Sequence, residues 1–207
     1  SVLEPYVEVL NNKITFMDNK YPQQNISMLF NSHTEPSHGE AMHNLLNHWH
    51  NLYADSGGLQ LSRTKKGLTP EIKDKIYKHQ AKYSDIAMIF DDIPVEFDGL
   101  ESDTKITLIV QGQDIESYRE YIETIVEGLT EEELKRCCGI SLSSACSGAS
   151  LDNRMEMIYA VKDLEIPMSL KENIHLLGVG SHKMMMPFFI SPEYFSFVKT
   201  VSYDSST

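Results

Sequence analysis

Apolar and polar positions alternate in short runs that read as strands, separated by longer stretches of helical period. Residues 25–31 carry Ile26, Met28, Leu29 and Phe30, a buried strand, and 7–16 has room for a shorter one. Between 39 and 50, Met42, Leu45, Leu46 and Trp49 recur at the spacing of one helix face. Thr69-Pro70-Glu71 is a helix start, with threonine as cap and proline in the first turn, and predicts a helix running to Tyr83. The apolar run 84–90 then ends in Asp91 and Asp92, the pattern of a buried parallel strand with a polar end. Residues 104–110 repeat that form and end in Gln111-Gly112-Gln113. Helical period returns over 117–127, 130–136 and 151–162; short strands are predicted at 139–142, at 175–180 and over the final run 198–204.

Strands alternating with helices predict an α/β fold, and several of these strands end in glycine or a polar residue. The strand count favours a TIM (β/α)8 barrel, in which the active site lies at the carboxyl strand ends; a doubly wound sheet would place ligands there too. Such barrels run to about 250 residues, so a chain of 207 residues would be a small or trimmed one.

Composition narrows the classes. Hydrophobic residues make up 41% of the chain, enough for a core, and no apolar run reaches membrane-spanning length. The first residues lack a basic segment followed by an apolar one, so no signal peptide is expected. Net charge is −12, from 30 acidic and 18 basic residues, which argues against a surface built mainly to neutralise phosphates. A local basic lip remains compatible with it, and Arg63-Thr64-Lys65-Lys66 is the group that would form one. Cys137, Cys138 and Cys146 have neither disulfide nor zinc spacing and fit buried thiols in a reducing cytoplasm. His43, His48 and His50 do not match a His-Glu-x-x-His ligand pair, so no metal site is expected.

The chemistry-bearing residues stand at predicted strand ends. In order they are Asp55-Ser56-Gly57-Gly58, Phe90-Asp91-Asp92, Val110-Gln111-Gly112, the segment 139–144, Leu177-Gly178-Val179-Gly180 and Tyr203-Asp204. Taken singly, Asp-Ser-Gly-Gly is also what a surface turn looks like, because glycines let the backbone turn sharply and approach a ligand or solvent equally well. Their succession resembles the tRNA-guanine transglycosylase family, including its bacteriophage and bacterial branch that modifies DNA. The resemblance runs from about Ile26 to the end of the chain and implies a single barrel domain over 1–207, trimmed at its C-terminal end.

What the resemblance implies is a base exchange: guanine in a polynucleotide leaves and a 7-deazaguanine, such as preQ0, takes its place. Asp204 matches the family's nucleophile and Asp55 its general acid/base. Asp91 matches the aspartate that reads the base, with Asp92 beside it able to take the same part. Ser56, Gln111 and Gly112 match positions that line the base pocket, and Ser144 and Ala145 fall where backbone contacts the base. No cofactor or metal is implied. The residue types suit the chemistry. A carboxylate can hold the sugar as a covalent glycosyl intermediate, and a second can protonate the leaving base and then deprotonate the incoming one. Asp91 can accept from the ring N–H and exocyclic amine of a guanine, while Gln111 donates to its carbonyl. The target nucleotide must be unpaired or flipped out.

Several positions depart from the family. Leu59 replaces a base-stacking aromatic, Ser143-Ser144-Ala145 replaces Gly-Gly-Leu, and the zinc-binding Cys-x-Cys-x-x-Cys module is absent from these residues. These departures favour DNA as the partner, with tRNA the alternative, and allow for a homodimer or a partner subunit. A fragment, or a non-catalytic subunit that keeps the barrel, fits the same departures. No membrane association is expected; the compartment would be the cytoplasm, that of the host if the chain is phage-encoded.

Overall fold

Short apolar runs form the strands, and capped amphipathic segments form the helices between them. The computed structural model describes residues 27–45, 51–58, 61, 67–90, 100, 103–143, 151–177, 193 and 195–203. In chain order its elements are β1 (Met28–Asn31), α1 (Pro36–Leu45), β2 (Leu52–Asp55), α2 (Pro70–Tyr83), β3 (Ile86–Met88), β4 (Lys105–Val110), α3 (Ile115–Gly128), α4 (Glu131–Arg136), β5 (Cys137–Leu142), α5 (Leu151–Ala160), α6 (Met168–Glu172), β6 (Asn173–Leu176) and β7 (Thr200–Tyr203), with a 3-10 turn at Val161–Asp163. Contacts divide the chain into two units, 1–90 with 97–105 and 91–96 with 106–207.

In the first unit β1, β2 and β3 run parallel, with Asn31 opposite Asp55 and Asp55 opposite Met88. Parallel neighbours need a crossover, and the helices supply it. Phe30, Leu52 and Ala54 form a buried cluster with Met42 of α1 and Tyr83 of α2 packed against it. Side chains alternate across a strand, so Phe30 and Ala54 face these helices while Asn31 and Asp55 share the opposite face. α2 begins where expected: the Thr69 hydroxyl accepts from the Ile72 amide at 3.3 Å, and Pro70 follows. It ends where the Ser84 amide and hydroxyl both turn back onto the Gln80 carbonyl.

In the second unit β4, β5, β6 and β7 are parallel, and Leu108, Ile140 and Ile174 fall in one register row. All three are buried, as are Tyr118, Ile122 and Ile125 of α3. Burying a side chain of this size contributes roughly 1.5–3 kcal/mol. The adjacent row, Ile109, Ser141, His175 and Ser202, lies on the other face and is mostly polar.

The α/β class, the parallel strands and the intervening helices are as the pattern predicts. Boundaries differ for local reasons. α1 starts at Pro36 rather than at 39, proline being well suited to a first helical position. α3 starts at Ile115 because Asp114 forms a reciprocal cap with Ser117, whose amide donates to Asp114 Oδ1 at 2.8 Å. The same device opens α4, where Thr130 and Glu133 cap each other. Those contacts hold the Asp114 and Glu133 carboxyls below the usual range, chiefly through backbone hydrogen bonds. β5 and β6 each begin two residues before the predicted 139 and 175. The five-residue α6 is too short to leave a readable period. The predicted strand at 7–16, the basic group 63–66 and residues 178–180 lie outside the described residues.

Candidate functional site

The carboxyl ends of β1 and β2 bring two polar side chains into one row. Asn31 Nδ2 donates to Asp55 Oδ2 at 2.9 Å. The amide is held from its other end as well: Asn31 Oδ1 accepts from the backbone amides of His33 at 3.0 Å and Thr34 at 2.8 Å. Reversing the amide would set an NH2 group against two N–H donors, so this network fixes which end faces the carboxylate. The Ser32 amide extends the ladder onto the Asp55 carbonyl at 2.9 Å. Asp55 itself is half-buried.

The glycine turn after Asp55 packs over the turn after β1. Gly57 has φ +76°, and a Cβ there would stand 2.7 Å from His33 Cβ and 2.8 Å from Asn31 Oδ1. Only glycine accepts both the backbone conformation and the closeness. Ser56 is 1% exposed, and its hydroxyl has no hydrogen-bond partner among the described residues. Ser56 and Gly57 are therefore buried at the strand end, unlike the surface turn that the string alone also allows. A buried polar group without a partner is costly, and such groups are rare.

α2 supports this corner with two side chains. His79 Nε2 lies 3.0 Å from the Pro36 carbonyl and Nδ1 lies 3.3 Å from Ser32 Oγ. Since a carbonyl only accepts, Nε2 carries the hydrogen, and the neutral ring accepts from Ser32 at Nδ1. Burial pushes the His79 imidazole below the usual histidine range, against a raising effect of the Pro36 carbonyl. Gln80, fully buried, donates from Nε2 to the Ala54 carbonyl at 2.8 Å and the Met88 carbonyl at 3.0 Å, tying β2 to β3 just below Asp55.

In the second unit the ends of β4, β5 and β6 continue one another. The Ser143 amide donates to the Val110 carbonyl at 3.0 Å, and the Leu177 amide to the Leu142 carbonyl at 2.9 Å. Gln111 follows β4 directly and is exposed. Gly112 lets the chain pass the first turn of α3: a Cβ there would be 2.9 Å from the Tyr118 Cα. One layer down, Thr107 Oγ1 and Ser141 Oγ are 3.0 Å apart, and His175 Nδ1 is 2.8 Å from Ser202 Oγ. Burial pushes the Cys137 thiol up to about 12. Such a group carries almost no thiolate and is no nucleophile near neutral pH. Cys138 is half-buried rather than buried.

Of the residues that the sequence marks, Asp55 and Ser56 belong to the Asn31 corner, and Gln111 and Gly112 to the strand ends of the second unit. Asp91, Asp92, Ser144, Ala145 and Asp204 lie outside the described residues, as do Leu59, Cys146, His48, His50 and His182. Sequence reasoning misses Asn31, His79 and Gln80. Asn31 leaves a signal, a polar residue directly after Met28-Leu29-Phe30, the same form that marks Asp55. Gln80 and His79 leave none, since a polar residue turned inward from a polar helix looks like its neighbours. Among the described residues no group of three or more His, Cys, Asp or Glu is placed to hold a metal ion, and no helix is long and apolar enough to cross a membrane. Comparison with protein families, with curated proteins and with solved structures finds no match to this chain.

Proposed function

We propose that the chain is a base-exchange transglycosylase that replaces guanine in DNA with a 7-deazaguanine such as preQ0, on a barrel of the (β/α)8 type. One observation carries the reading. Asp55 stands at the carboxyl end of a parallel strand, held by the Asn31 amide, beside a buried Ser56 hydroxyl with no partner among the described residues. Parallel α/β folds bind ligands at that end of their strands. A fixed, half-buried carboxylate there suits proton transfer to and from a bound base.

In the proposed reaction Asp204 attacks the anomeric carbon from the face opposite the guanine. The glycosidic C–N bond breaks, and Asp55, protonated, gives its proton to the departing ring nitrogen. The sugar is then held as an aspartyl ester. The incoming 7-deazaguanine loses its ring N–H proton to the Asp55 carboxylate, and its nitrogen displaces Asp204. Asp55 is left protonated and Asp204 free, as at the start, so no cofactor is needed. Asp91 accepts from the ring N–H and exocyclic amine, and Gln111 donates to the base carbonyl. Ser56 and the backbone at Gly112, Ser144 and Ala145 line the base. DNA is preferred to tRNA because Leu59 and Ser143-Ser144-Ala145 depart from the motif of the tRNA enzymes that the chain resembles.

Mixing the protein with guanine-containing DNA in the absence of a competing base, followed by denaturation, tests the reading. A protein–DNA adduct is expected, and Asp204→Ala abolishes it. An adduct that persists in Asp204→Ala contradicts the nucleophile assignment. An adduct formed with tRNA and not with DNA replaces the substrate with tRNA.

A further inference from the structure

We propose that His79 is a positioning residue for the Asp55 carboxylate, acting through the turn that follows β1. The turn is held at both ends by one imidazole: Ser32 Oγ at its start (3.3 Å from Nδ1) and the Pro36 carbonyl at its end (3.0 Å from Nε2). Between those two anchors lie the His33 and Thr34 amides that clamp Asn31 Oδ1. The clamped amide presents Nδ2 to Asp55 at 2.9 Å. His79 therefore fixes the loop, the loop fixes the Asn31 amide, and the amide fixes the carboxylate.

The ring is seated to do this. Phe30 meets it edge-on, with centroids 5.7 Å apart at 82°, and Tyr83 packs on it with centroids 4.8 Å apart at 54°. Phe30 is the residue before Asn31 and is 2% exposed, so the contact ties the imidazole to the same strand end that it serves. Ser32 is 5% exposed, which keeps water from competing for its hydroxyl. Among the described residues the charged groups acting on the imidazole are Glu40 from α1 and Lys75 and Lys82 from its own helix.

A hydrogen bond to a carboxylate favours its charged form. Freeing the Asn31 amide should therefore raise the pH at which Asp55 titrates. The titration is read from the Asp55 carboxyl carbon by NMR in the full chain, for wild type and for Asn31→Ala, His79→Phe and His79→Gln. His79→Phe keeps a ring against Phe30 and Tyr83 and removes both hydrogen bonds. His79→Gln keeps an amide donor for the Pro36 carbonyl. Asn31→Ala is expected to raise the Asp55 midpoint by about one pH unit, and His79→Phe to raise it by part of that shift. His79→Gln should return it towards wild type. An unmoved midpoint in His79→Phe overturns the proposal. So does a shift in His79→Gln equal to that in His79→Phe, because both lack the imidazolium charge and only one lacks the donor. If His79→Phe does not fold, Ser32→Ala removes the Nδ1 contact alone, and the same shift or its absence is read there.

The catalytic consequence rests on the proposed role of Asp55: His79→Phe should lower kcat for base exchange several-fold with KM for the incoming base unchanged. A wild-type protein without exchange activity would contradict the reaction, while the carboxyl titration would still decide the positioning role.

Discussion

Asn31 and Asp55 are register partners on neighbouring parallel strands, and their side chains meet at 2.9 Å with the amide nitrogen towards the carboxylate. The Asn31 oxygen is occupied by two backbone amides, so the pair has one orientation. Asn31→Ala removes a hydrogen bond to a charged group and leaves those amides without their acceptor. Stability should fall by about 1.5–3 kcal/mol, measured by urea unfolding. Loss of the donor disfavours the carboxylate form, the form that in the proposed mechanism deprotonates the incoming base. The acid limb of the kcat/KM profile for the incoming base should accordingly move to higher pH.

Gly57 and Gly67 both have positive φ, +76° and +61°, but differ in surroundings. Among the described residues a Cβ on Gly67 meets nothing within 4 Å, whereas one on Gly57 runs into Asn31 and His33. Gly67→Ala should cost about 1–2 kcal/mol, the backbone strain alone. Gly57→Ala should cost clearly more and displace the Asn31 amide. Parallel unfolding curves of the two variants measure the difference; equal losses would mean that the Asp55 turn does not pack as described.

Gln80 satisfies two strand carbonyls from one buried amide. Gln80→Leu keeps similar bulk but leaves both carbonyls without that donor, at about 1–3 kcal/mol each. A loss of roughly 2–6 kcal/mol in unfolding free energy is expected. Hydrogen exchange should show faster opening of β2 and β3 than of β5 and β6.

His79 titrates below its ordinary value because burial disfavours the imidazolium. The unfolded chain therefore takes up this proton first as pH falls, and below about 6.5, the usual value, folding carries a penalty that grows until the folded ring is protonated too. Stability from this group is present above that pH and lost below it. In His79→Phe the slope of stability against pH between about 7 and 5 should be shallower on the acid side, read by unfolding at a series of pH values.

The class of fold was legible because it depends on local pattern. The run Met28-Leu29-Phe30, the cap Thr69-Pro70 and the apolar run in 104–110 each specify an element with little help from the rest of the chain. Asp55 stands out as a candidate for a similar reason, since an acid between an apolar run and two glycines is a conspicuous combination. What holds Asp55 was not legible. Asn31 is 24 residues away, and it becomes a neighbour only when β1 and β2 pair in register. The roles of His79 and Gln80 likewise depend on which face of α2 meets the sheet. Lys73, Lys75, Lys78 and Lys82 on the same helix give the pattern too weak an apolar stripe to show that face. β5 and β6 begin earlier than the pattern suggests because pairing with neighbouring strands takes in Cys137 and Asn173.

Asp55 and Asp204 are proposed to exchange one base for another on an intact nucleic acid. The direct measurement supplies the protein with DNA carrying radiolabelled guanine, together with an unlabelled 7-deazaguanine, and follows free guanine while checking that strands stay whole. Labelled guanine should be released in step with uptake of the new base, and neither should occur in Asp55→Ala or Asp204→Ala. Release that is unchanged in those variants, or no release from either DNA or tRNA by the folded wild-type chain, would contradict the proposed exchange.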